Sequence, residues 1–146
     1  MLSELVKSST ADRLNIDNWP TEQWVVDNLI ETCNNLLQPV RDHYGVPIRP
    51  NSGYRCLTLN RALKSKDTSQ HTKGQAIDIE VWGVTNYDLA DWMVNNLDFD
   101  QIILENYDPK KGPNSGWVHC SYVDGSNRNN VLTYNRRTGY TNGLLT

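Results

Sequence analysis

The apolar positions Val25, Leu29, Cys33, Leu36, Val40 and Tyr44 recur at spacings of three and four. That period predicts an amphipathic helix opening near Pro20-Thr21. Pro39 inside the run is expected to bend or break it, and Gly45 to stop it. Val46 to Arg49 reads as short and extended, Asn51-Ser52-Gly53 as a turn, Leu57 to Leu63 as a second helix and Lys64 to Thr72 as a polar loop. From Gln75 the period changes to two. Ile77, Ile79 and Val81 fall on one face of a strand, and Ala76, Asp78 and Glu80 on the other. Thr85 then opens a third helix, with Asp88 three residues on as a capping partner. Leu89, Trp92 and Met93 form its buried stripe. Phe99 to Glu105 and Gly116 to Val123 read as further strands joined by the polar loop Asn106 to Ser115. The tail from Asn127 contains one more strand, Val131 to Asn135, and otherwise reads as loosely held. The pattern predicts an α+β fold, a small, mainly antiparallel sheet with helices packed on one face. It is read as a single domain over residues 1–146.

Composition narrows the function classes. Hydrophobic residues make up 38 % of the chain and no apolar run is long enough to span a membrane. A formal charge of -3 and a pI of about 5.5 argue against a nucleic-acid partner, which selects for a basic face. Met1 to Ala11 is polar and lacks the apolar stretch of a signal peptide. That predicts a chain made in the cytoplasm. Cys33, Cys56 and Cys120 are odd in number and contain no CxxC pair, so neither a disulfide framework nor a thiolate zinc site is expected.

Chemistry concentrates around two of the three histidines. His71 lies seven residues before Asp78, and His119 lies in Gly116-Trp117-Val118-His119-Cys120-Ser121. On one helix a seven-residue spacing would separate the side chains by about 10 Å along the axis. With a loop at His71, a turn at Gly74 and a strand at Asp78, the two side chains converge. A third ligand from a neighbouring strand completes a His₂-carboxylate set, leaving a fourth zinc position for water. By spacing alone, which is not a specific pattern, a hydrogen-bonded surface histidine and a solvated aspartate are the commoner case. His43 follows the helix period near a C-terminus, where it compensates the helix dipole.

Ser69, His71, Gly74, Ala76 and Asp78 spell Ser-x-His-x-x-Gly-x-Ala-x-Asp, and Trp117-Val118-His119 follows. This series resembles the zinc D-Ala-D-Ala carboxypeptidase and L-alanyl-D-glutamate endopeptidase superfamily. Van-type dipeptidases, several phage endolysins and the hedgehog signalling domain share that fold. Ser52-Gly53-Tyr54-Arg55 and Leu59-Asn60-Arg61-Ala62 match its phage and bacterial carboxypeptidase branch. The resemblance runs from the first helix through Tyr122. It implies one Zn²⁺ per chain held by His71, Asp78 and His119, and a peptidoglycan stem-peptide substrate. It also implies Arg55 as an anchor for a substrate carboxylate, which the guanidinium fork suits. Ser69 is read as a substrate contact or a loop cap, and Trp117 as a wall of the groove.

Many members carry the general base three residues before the last histidine, where this chain has Gly116. The nearest acid on a neighbouring element is Glu105, at a strand end as in the hedgehog branch, with Asp108 as runner-up. Pairing of Ile102–Glu105 with Trp117–Cys120 is expected to set Glu105 directly across from His119. The function expected is a monomeric cell-wall peptidase, carboxypeptidase or endopeptidase, of a phage or prophage lysin type. The alternative is a zinc-binding module of the same fold without catalysis, which would need no base at Glu105.

Overall fold

The computed structural model describes residues 2–146. Two short helices, α1 (Leu2–Leu5) and α2 (Ser9–Arg13), precede the long helical run. That run comprises α3 (Gln23–Thr32), a π-helical turn (Cys33–Leu37) and α4 (Gln38–Tyr44). The run is not broken at Pro39, and the irregularity expected there falls in the turn before it. The wide turn just before it, in which the Gln38 N–H donates to Cys33 O, lets the proline ring enter at the start of α4. Gly45 ends the run in the left-handed conformation. Val25, Leu29, Leu36 and Val40 are buried, as their spacing predicts.

Six strands form one sheet in the order β1-β2-β4-β3-β5-β6. They are β1 (Ile48–Ser52), β2 (Ala76–Val81), β3 (Gln101–Glu105), β4 (Trp117–Ser121), β5 (Asn130–Asn135) and β6 (Gly139–Asn142). All ladders are antiparallel except β3 with β5. The class is therefore α+β with a mainly antiparallel sheet, as expected. The tail is better held than expected, because β6 pairs with β5 through Leu132–Asn142 and Tyr134–Tyr140. α5 (Leu57–Ala62) is capped by the Cys56 sulfur, which accepts from the Leu59 N–H. α6 (Asn86–Asn96) is capped by Thr85, which accepts from the Asp88 N–H.

Strand alternation divides the sheet into two faces. Ile77, Ile79, Val81, Ile102, Leu104, Val118 and Cys120 join the long helical run and α6 in one core. Asp78, Ile103 and His119 are laterally paired across three strands on the other face. Cys120 is packing, as expected: its thiol is buried and donates to Ile77 O. His43 is outside the site, stacked on Trp92 with ring centroids 4.3 Å apart.

Asp100 ties the two halves of the fold together. Its buried carboxylate accepts from the Arg128 backbone and guanidinium and from Gln70 Nε2. Those bonds, led by the Arg128 side chain, hold its carboxyl below the usual carboxylate range. A depressed folded-state pKa stabilises the fold above the unfolded value, and that stability is lost as pH falls through the folded value. Asp100→Asn is expected to cost about 1–3 kcal/mol near neutrality. Urea melts should show the gap between variant and parent closing below about pH 4.

Candidate metal centre

The loop before β2 carries His71 to the sheet. Residues Gln70–Lys73 form a 3₁₀ turn opened by Ser69, whose hydroxyl accepts from the His71 N–H at 3.3 Å. Gly74 ends the turn with φ at 72°, and a Cβ there would lie 2.6 Å from Val25 O. Glycine is thus required both by conformation and by the approach of α3. The turn swings His71 over Asp78, the third residue of β2.

Three side chains then meet. His119 Nδ1 lies 3.0 Å from Asp78 Oδ1, and His71 Nε2 lies 3.5 Å from the same oxygen. One ligand atom from each residue lies within 4.8 Å of the others. Zinc bonds of about 2.0–2.1 Å in a tetrahedron place donor atoms about 3.3 Å apart, so this donor set fits a zinc ion. The His71 Nδ1–H donates to Gly53 O at 2.8 Å, which fixes the ring and leaves Nε2 for a metal. His71 and Asp78 are buried and His119 is half-buried, so the cluster opens to solvent on the His119 side. Burial pulls the His71 pKa down, against the pull of the neighbouring Asp78. Burial opposes the charge on Asp78, but the hydrogen bond from His119, with His71 close by, outweighs it and holds the carboxyl far below its usual range.

Arg55 borders the cluster. Its Nη2 lies 3.6 Å from Asp78 Oδ2, its Nε donates to Ser52 Oγ, and its Nη1 donates to Asn60 Oδ1. The fully buried Asn60 also donates to Lys66 O, so Asn60 joins Arg55 to the loop before His71. Sequence reasoning named neither Asn60 nor the Gly53 carbonyl as a support. The Leu-Asn-Arg-Ala segment was the available signal for Asn60, whereas a backbone carbonyl leaves none.

Glu105 stands on the same face as His119 but not directly across from it. Ile103 is the partner of His119, and Glu105 pairs with Trp117, one step along the ladder. The expected pairing of Ile102–Glu105 with Trp117–Cys120 is the one observed, and in that antiparallel register Ile103, not Glu105, stands opposite His119. Burial pushes the Glu105 carboxyl above the usual range, with His119 opposing and Asp78 adding to the rise. Trp117 is half-buried and is the direct partner of Glu105, two residues before His119 on the same face of β4. Asp108 is employed elsewhere: its carboxylate caps a 3₁₀ turn by accepting from the Lys110 N–H. Ser69 likewise spends its hydroxyl on the turn that carries His71.

A sheet-borne His₂-carboxylate cluster beside a half-buried glutamate has the donor set and the acid of a metal-dependent hydrolase. A family model described as Peptidase M15 matches residues 1–121. The chain belongs to that family, within the zinc D-Ala-D-Ala carboxypeptidase superfamily, whose members are zinc-dependent peptidases of peptidoglycan peptides. No curated protein matches the chain. Among the described residues, no helix is long and apolar enough to cross a membrane.

Proposed function

We propose that residues 1–146 form one zinc peptidase domain that hydrolyses amide bonds of peptidoglycan stem peptides, as a phage or prophage lysin does. Its reaction is D-Ala-D-Ala carboxypeptidase or L-Ala-D-Glu endopeptidase cleavage. The observation that carries this reading is the His71–Asp78–His119 cluster with Glu105 on the same sheet face. His71, Asp78 and His119 would hold a zinc ion, which when bound would supply Lewis acidity at the scissile carbonyl and acidify a water molecule. Glu105 accepts the proton of the attacking water on a carboxylate oxygen and delivers it to the departing amide nitrogen. A raised carboxyl pKa suits that exchange, since the group must both take and give the proton. Arg55, held by Ser52, Asn60 and Asp78, offers its remaining N–H groups to a substrate carboxylate, and Trp117 walls the groove. The reading without catalysis has no use for a half-buried acid at Glu105, which favours the enzyme. Mass spectrometry of digested peptidoglycan tests the proposal and names the bond. New amino termini or released D-Ala are the expected result, and intact stem peptides would reject it.

Arg55→Lys keeps a positive charge but loses the fork that reaches Ser52, Asn60 and Asp78 together. Loss of a hydrogen bond to a charged group costs about 1.5–3 kcal/mol, or about 10-fold to 100-fold in kcat/KM. Zinc content at saturating metal is expected to remain one per chain. An unchanged rate on stem-peptide fragments would remove Arg55 from substrate binding.

A further inference from the structure

β5 and β6 lie beyond residue 121, where the family match ends, and they extend the sheet past the strand that carries Glu105. In the parallel β3–β5 ladder Ile103 pairs with Leu132 and Leu104 with Thr133, so Tyr134 continues the row beside Glu105. Tyr140 is the direct partner of Tyr134 across β5 and β6. Laterally paired side chains leave the same face of a sheet. Tyr134 and Tyr140 therefore stand on the face of Asp78, His119 and Glu105. Thr133, one residue out of phase, is buried and donates to Gly143 O. The two tyrosine rings touch, with centroids 4.7 Å apart and planes inclined at 45°. Tyr140 is 61 % exposed, so its ring is open to solvent on that face.

Adjacent strands lie about 4.8 Å apart, which sets Tyr140 two strands, or about 10 Å, from Glu105. An extended substrate covers that distance in about three residues at about 3.3 Å each. The rings offer an open π surface whose negative faces repel carboxylates and accept C–H groups. In peptidoglycan the stem peptide hangs from a saccharide, and the C–H face of a pyranose matches such a surface. We propose that Tyr134 and Tyr140 form a remote subsite for a saccharide ring of the glycan strand that bears the stem peptide. The inference rests on the reading of the Asp78–His119–Glu105 face as the catalytic centre.

The test titrates the zinc-loaded full chain calorimetrically with a disaccharide–stem-peptide fragment and with the same peptide lacking the disaccharide. Tyr140→Ala is expected to bind the disaccharide-bearing probe about threefold to tenfold more weakly and the free peptide unchanged. Tyr140→Phe should match the parent, because the ring and not the hydroxyl makes the contact. Equal weakening for both probes, or no weakening for either, overturns the saccharide assignment. In the unmodified chain, ring-proton resonances of Tyr140 should shift when the disaccharide-bearing probe is added. Unmoved resonances overturn the proposal whether or not any variant folds. Tyr140-dependent binding without cleavage of any peptide would remove the peptidase reading and leave the subsite, while cleavage without a Tyr140 effect would do the reverse.

Discussion

Glu105→Gln is expected to slow peptide hydrolysis by about 10²-fold to 10⁴-fold, the range for loss of a general base. The amide keeps the size of the side chain and loses its proton affinity. Zinc content is expected to stay at one per chain, since the glutamate lies outside the three-residue cluster. The pH profile gives a second reading. A base works only when ionised, so activity is lost as pH falls through its pKa. The Glu105 pKa is raised, mainly by burial. An acid limb of kcat/KM is therefore expected, and it is expected to vanish in the Gln variant. Asp108→Asn, assayed in parallel, should retain full activity because that carboxylate already caps the Pro109–Lys111 turn. Collapse at Asp108 with activity retained at Glu105 would transfer the role to the loop.

The motif position where other members place this acid is filled by Gly116, and the structure explains why no side chain stands there. Gly116 adopts φ of 69°, and a Cβ on it would fall onto Glu105 O. The start of β4 thus presses against the end of β3 at the point where the acid is supplied from β3 instead. Buried Asn86 secures the same approach by donating to Gly116 O at 2.9 Å and to Asn114 O. A substitution at Gly116 would therefore move Glu105, although neither residue carries a sequence signal of the other.

Elements with a strong period were legible because one face of each is buried. The alternation of Ile77, Ile79 and Val81 placed Asp78 on the opposite face before any neighbour was known, and the spacing from Val25 to Val40 placed the long helix. The β6 strand was not legible. It has four residues at the sheet edge, where burial imposes no period, and its turn at Asn135–Gly139 lacks the Asn-Gly or Asp-Gly pair of a tight hairpin. The parallel pairing of β3 with β5 was also hidden. It arises because the chain leaves β4 and returns to the start of β3, where Asp100 grips Arg128 and Asn130 N–H donates to Asp100 O. Such a contact joins residues about thirty apart and shows in no local pattern. The pairing of Ile102–Glu105 with Trp117–Cys120 was legible, but its antiparallel order puts Trp117, and not His119, opposite the strand-end Glu105.

Removal of the metal is expected to have the largest effect. Purified chain should hold one zinc, lose activity completely on chelation and regain it when zinc is restored. His119→Ala should lose both metal and activity, because two ligands seldom hold zinc at the affinity of three. Asp78 explains why the loss also reaches stability. Its carboxylate is buried, and His119, His71 and Arg55 surround it. Truncating His119 removes its shortest partner, at 3.0 Å, and leaves a buried charge with poorer compensation. The variant is thus expected to melt lower than the chelated parent, by about 1–3 kcal/mol of stability. Metal analysis and melting of parent, chelated parent and variant separate the two effects. A His119→Ala chain that retains its zinc would overturn the ligand assignment. A variant without zinc that melts together with the chelated parent would show that His119 serves the metal alone and does nothing to hold Asp78.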